Sequence, residues 1–148
     1  MNYTAIQIAN KIISNTDIEH GELISNLKLQ KLLYYVQGYY LAITDKPLFK
    51  EDIVAWQYGP VVIEVYEQFK KFGSSSIELD DNVTLINMSE EDEDIFNEVL
   101  SVYSDFSAIK LMNMTHDESP WKDVFHTNPQ DIITLDSIKA YFKTQLVG

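Results

Sequence analysis

Apolar residues recur along this chain mostly at helical spacing, in stretches separated by short polar breaks. Residues 3–15 carry Ile6, Ala9 and Ile13 on one face, with Ile12 beside them, and predict an opening helix. Residues 17–22 are mostly polar around Gly21 and read as a loop. The strongest helical signal follows, with Leu29, Leu32, Leu33, Val36, Tyr40 and Ile43 on one stripe and Asn26 as its N-cap. Tyr34, Tyr35 and Tyr39 spread the apolar surface around the cylinder, so this helix is expected at the centre of the fold. Gly38 costs about 1 kcal/mol against alanine inside a helix, and close approach by a neighbouring backbone is the expected reason for it.

Asp45 and Pro47 end that helix. Residues 53–58 are rich in β-branched and aromatic side chains and predict a short extended segment. Gly59-Pro60 should break it, with Pro60 opening a helix that buries Val62, Val65, Tyr66 and Phe69. Lys70, Lys71 and Gly73 form a conventional helix end. Residues 77–79 and 83–85 alternate around Asp81-Asn82 and predict a small hairpin. Ser89 starts a capped helix with Ile95, Phe96, Val99, Leu100 and Tyr103. A shorter helix is expected near residues 107–114, with Ile109, Leu111, Met112 and Met114, and another starts at Ser119-Pro120 around Trp121. Asn128-Pro129 is a turn, and Thr134 caps a last helix with Leu135, Ile138, Phe142 and Leu146 inward. The fold class expected is mainly α: an irregular single-domain helical bundle of six or seven helices over residues 1–148, with at most a small β-hairpin.

A length of 148 residues and a 45% hydrophobic share support a real core. There is no cysteine, so no disulfide or thiolate metal site can form. Residues 1–15 hold no apolar run of signal-peptide length, and no stretch nears the roughly 20 apolar residues of a membrane span. A cytoplasmic protein without membrane contact is the expectation. Formal net charge is -12, and all eleven basic residues are lysines. A chain this acidic, with no arginine fork for phosphates or base edges, is expected to make no direct contact with nucleic acid. Residues 72–109 hold ten acids and no lysine. They read either as a solvated face or as a steering surface for a basic partner.

Catalytic signals are weak. The histidines, His20, His116 and His126, form no i, i+4 pair and no HExxH. His116-Asp117-Glu118 groups three ligand types, but neighbouring residues seldom aim at one ion. There is no G-x-S-x-G and no Gly-rich phosphate loop. No cofactor is expected and no enzyme activity. Two segments stand out instead. Trp56-Gln57-Tyr58-Gly59-Pro60-Val61 sets aromatics around a tight break, and Thr115-His116-Asp117-Glu118-Ser119-Pro120-Trp121 sets polar residues between two helices before an indole. Each reads either as a rigid core corner or, since Trp and Tyr serve as interface anchors, as part of a partner-binding groove.

These blocks resemble a known family. Leu29-Gln30-Lys31-Leu32-Leu33-Tyr34-Tyr35, Pro47-Leu48-Phe49, Ala55-Trp56 with Tyr58-Gly59-Pro60-Val61, and Thr115-His116 with Pro120-Trp121 resemble the Panacea domain of SocA-like antitoxins, also known as phage-associated proteins. The resemblance runs from about Ile6 to the last helix. It implies a helical domain that neutralises a cognate toxin protein, encoded by the adjacent gene, through direct protein contact. The matching positions Tyr35, Trp56, Tyr58, Gly59, Pro60, His116 and Trp121 are the partner-binding candidates. No catalytic residue and no metal ligand is carried over. Two other functions remain open: an adaptor delivering a partner to a protease, and a small metal-dependent hydrolase centred on His116, Asp117 and Glu118. A fourth reading is mimicry of DNA by the acidic segment.

Overall fold

The computed structural model describes residues 3–16 and 23–146. The expected loop at 17–22, with Gly21 and His20, lies outside the described residues. Among those described, the element order is α1 (Ala5–Ser14), α2 (Asn26–Thr44), β1 (Ile53–Trp56), β2 (Gly59–Val61), α3 (Ile63–Phe69), a 3-10 turn (Lys70–Phe72), α4 (Glu90–Tyr103), α5 (Ala108–His116), α6 (Ser119–Thr127), β3 (Ile132–Ile133) and α7 (Leu135–Gln145). The mainly helical, single-domain class is as expected from the sequence.

Helix α2 is the axis of the molecule. Its 19 residues span about 28 Å. It is buried almost all round because α1, α4, α5 and α7 pack on it. Leu29, Leu32, Leu33 and Val36 are buried, as their stripe predicts. Ile43 is the exception: at the last turn it passes beyond the neighbours and is 49% exposed. The N-cap is Ser25, one residue before the expected Asn26. Asn26 turns inward instead, donating to the Tyr66 carbonyl and accepting from Gln30.

Gly38 admits an aromatic ring rather than a backbone. A Cβ there would lie 2.2 Å from Phe142 of α7. That ring sits edge-on to Tyr34, Tyr35 and Tyr39, with centroids 5.3, 5.8 and 4.9 Å away. Such pairs add about 0.5–1.5 kcal/mol each beyond area burial, which offsets the helix penalty of glycine. Ile138 and Phe142 are buried on α7, but Leu135 and Leu146, expected inward, are each 41% exposed at its two ends.

The caps at Ser89, Ser107 and Thr134 form as the sequence predicts, each hydroxyl accepting from a backbone N–H three residues on. The 77–85 hairpin does not form. That segment is irregular, anchored by Ile77 N–H to the Ile24 carbonyl at 2.8 Å. Its alternation has no second apolar face to bury, so no ladder follows. The sheet lies elsewhere. Its order is β2-β1-β3, all antiparallel, with Trp56 opposite Gly59 across a two-residue turn and Ile53 opposite Ile133. Gly59 and Pro60 therefore belong to a strand and do not break one, and the next helix begins at Ile63. Proline is tolerated because β2 is an edge strand, where a missing N–H costs no ladder bond. No described helix is long and apolar enough to cross a membrane.

Candidate functional site

The β1–β2 turn packs against one end of α2 and the α5–α6 corner, and this brings the predicted site residues together. Three side chains of α2 hold the hairpin, the residue before α3 and the 48–49 segment that precedes β1. Gln30 accepts from the Val62 N–H at 2.8 Å. Lys31 Nζ donates to the Pro60 carbonyl at 3.1 Å. Farther along, Gln37 accepts from the Leu48 N–H at 2.7 Å and donates to the Phe49 carbonyl at 2.9 Å. All three are buried, and each satisfies a backbone group that the short strands leave unpaired.

Gly59 sits where a side chain cannot. Its φ is +110°, and a Cβ would lie 2.5 Å from Lys31 Cε and 3.0 Å from Thr115 Oγ1. The hairpin thus presses onto α2 and α5 at that point. On its other flank Trp121 donates its indole N–H to the Trp56 carbonyl at 2.8 Å. The Trp121 ring is stacked between His116, 4.0 Å away, and Phe125, 4.6 Å away. Pro120 starts α6 and points Trp121 inward.

The site is therefore largely interior. Tyr35, Gly59, Pro60 and Trp121 are buried, and Trp56 and His116 are partly so. Tyr58 alone among the seven candidates stands out, 59% exposed at the hairpin tip. Tyr35 and Trp121 are core side chains, 1% and 4% exposed. Trp56 lies edge-on to Tyr66 at 5.0 Å. With Tyr58 and Val61 these rings wall an open cleft of about 530 Å³, floored by Gln30 and Lys31 and rimmed by Lys70. Among the described residues no carboxylate lines it.

Two buried ionisable groups lie behind this surface. Among the described residues no acid pairs with Lys31, and burial lowers its pKa to about 7. Glu118 accepts from Tyr34 at 2.9 Å and Tyr35 at 2.7 Å. Desolvation pushes the Glu118 carboxyl up to about 7, against those two hydrogen bonds, which favour its charged form. Desolvation also lowers the His116 pKa, and the Lys31 charge acts the same way, against the Gln57 backbone and Asp117. His116 Nε2 is buried without a hydrogen-bond partner among the described residues. Glu118 faces the tyrosines and does not converge with Asp117 on an ion: no group of three or more His, Asp or Glu suited to a metal occurs among the described residues.

Spacing alone did not reveal Gln30, Lys31 and the Tyr34–Glu118–Tyr35 bridge. One signal was available: Gln30, Lys31 and Gln37 interrupt a helix whose other positions from Leu29 to Ile43 are apolar, aromatic or glycine. Asp92, read as part of the solvated acidic run, is also internal. It accepts from Tyr3 and Tyr40, both at 2.8 Å. Desolvation raises its pKa, but hydrogen bonds from Tyr40, Tyr3 and Ser89 outweigh it and hold the carboxyl below its ordinary value.

Lys31→Met should leave the fold intact and stabilise it at pH 6 by about 1–3 kcal/mol, because a buried cation with no acid partner is replaced by an apolar chain of similar length. The gain should shrink by pH 9, where the wild-type amine is already neutral. Urea unfolding at the two pH values reads both results. A loss of stability at pH 6 would mean that the bond to Pro60 outweighs desolvation.

The family profile described as "Antitoxin SocA-like, Panacea domain" matches residues 29–122. The chain is 33% identical over 117 residues to Antitoxin SocA of Caulobacter vibrioides (strain NA1000 / CB15N). That alignment covers 72% of this chain and 62% of the relative, so the chain spans less than two thirds of the relative's length. No solved structure matches.

Proposed function

Because the chain belongs to the SocA-like antitoxin family defined by the Panacea domain, we propose that it neutralises a cognate protein toxin by direct contact. The observation that carries this reading is the 33% identity to Antitoxin SocA, beside a family profile over residues 29–122 that includes the hairpin and the α5–α6 corner. In this reading the whole chain, residues 1–148, acts as one Panacea unit in the cytoplasm, and the toxin is encoded by the adjacent gene. The side chains make and break no bonds. The buried members of the motif are the scaffold, and the surface they shape is the contact.

At that surface Tyr58 is the anchor. It is a large amphipathic ring, mostly exposed, beside the cleft of Trp56 and Tyr66. Aromatic anchors of this kind carry about 2 kcal/mol or more of binding energy. Co-expression tests the function: induction of the adjacent gene should arrest growth, and this chain should restore it. Tyr58→Ala should fold normally yet weaken capture of the toxin about 30-fold, measured by titration calorimetry. A neighbouring gene product equally toxic with and without this chain would count against the proposal.

A further inference from the structure

A second surface lies at the opposite end of α2. There Ile43, Ile95, Val102 and Leu146, with Tyr39 and Tyr103, line an open groove of about 400 Å³ between α2, α4 and the end of α7. It is apolar and uncovered: Ile43, Val102 and Leu146 are 49, 53 and 41% exposed. This is a contiguous patch, unlike the scattered apolar residues normal on a surface. One wall carries acids. Glu90, Glu91 and Asp94 continue the groove past Ile43 and Ile95, and Glu98 lies within it. They extend over about 12 Å of α4, at the rise of a helix. Among the described residues none of the four forms an ion pair. Lys11 is engaged by Glu93 on the same helix at 2.9 Å, and Lys139 and Lys143 are drawn to Asp45 at 3.6 and 3.2 Å.

We propose that this groove seats a basic amphipathic helix of the partner, its apolar stripe against Ile43, Val102 and Leu146 and its lysines or arginines along Glu90, Glu91, Asp94 and Glu98. The charge pattern selects the occupant. The acids follow one side of a helix at i, i+1, i+4 and i+8, so cations repeating at three- or four-residue intervals meet them in register. A second copy of this chain would bring the same acids against themselves and is disfavoured. The inference rests on the antitoxin reading only in taking the toxin as the source of that helix.

The probe is a labelled Leu/Lys amphipathic peptide of about 14 residues, long enough for four helical turns. A peptide of the same composition in shuffled order is the control. Fluorescence anisotropy should show the ordered peptide binding at least about tenfold tighter than the shuffled one. The Ile43→Ser, Val102→Ser double variant should lose about tenfold for the ordered peptide, since both positions are half-exposed and the fold tolerates the change. Ile109→Ser, equally exposed on α5 and outside the groove, should leave peptide binding unchanged. Equal binding of the two peptides, or indifference to the double variant, would reduce the effect to charge attraction and overturn the groove. So would a concentration-dependent dimer that Val102→Asp abolishes. Hydrogen exchange of the toxin complex completes the test. Protection along α4 supports the toxin as occupant, and protection confined to β1–β2 overturns that assignment. Failure to capture any toxin removes the antitoxin reading, whereas the peptide titration decides the groove independently.

Discussion

Glu118→Ala should destabilise the protein by about 3–5 kcal/mol at pH 5, because it strips the acceptor from two buried tyrosine hydroxyls and leaves a void at the α5–α6 corner. Tyr34 and Tyr35 both donate to Glu118, and among the described residues neither hydroxyl donates elsewhere. The size of the loss should depend on pH, and its sign follows from proton binding. In the fold the carboxyl titrates near 7, against an ordinary value of 4.5. Between those values the folded chain holds a proton that the unfolded chain has released. Stability from this group is therefore full below about pH 4.5 and declines as pH rises to 7, by about 3 kcal/mol. Above pH 7 the variant should lose correspondingly less. Glu118→Gln, neutral throughout, should remove the decline. Lys31 has the opposite slope: its folded amine titrates at about 7 against 10.5, so its contribution rises from pH 7 upward. Together they predict a shallow stability minimum near neutrality. Urea midpoints across pH 5–9 for wild type, Glu118→Gln and Lys31→Met would show it. Parallel profiles for all three would contradict it.

Trp121→Ala should be comparably severe, at about 3–5 kcal/mol, and should leave little folded protein at 37 °C. The indole is 4% exposed and fills the space between the His116 and Phe125 rings. Its loss opens a cavity that two helices and a hairpin cannot close without moving. It also removes the donor to the Trp56 carbonyl. Trp121→Phe should recover roughly half of the loss, since a ring remains for stacking but the N–H does not. Thermal unfolding of the two variants beside Tyr58→Ala separates scaffold from surface. Tyr58→Ala should melt within a degree or two of wild type, because its ring is mostly in solvent.

Much of the helical framework was legible in the chain. Ser89, Ser107, Thr134 and Ser119-Pro120 announce helix starts through local chemistry, and the stripe from Leu29 to Val36 announces the central helix through its period. What was not legible depends on partners far along the chain. Gly59-Pro60 has the composition of a break, yet becomes an edge strand because Trp56 pairs with Gly59 and Lys31 binds the Pro60 carbonyl. Residues 77–85 have the alternation of a hairpin, yet stay irregular for want of a surface to cover. Asp92 and Glu118 look like solvated acids, and only tyrosines 52 and 84 residues away reveal them as internal hinges of the core. The candidate site divides in the same way. Sequence placed seven residues in three blocks, and the fold does gather Trp56, Gly59, Pro60, His116 and Trp121. It gathers them mostly inward, so that the partner-facing surface is Tyr58, the cleft beside Trp56 and, on our inference, the groove along α4.

The most direct test of the antitoxin account uses purified components. The product of the adjacent gene, the toxin on this proposal, is assayed for its activity while the chain is added in increasing amounts, with no protease or ATP present. Contact neutralisation predicts a fall to near zero at about one equivalent, with the toxin polypeptide intact throughout. Activity that persists in excess chain, or that falls only when a protease and ATP are supplied, would contradict neutralisation by contact.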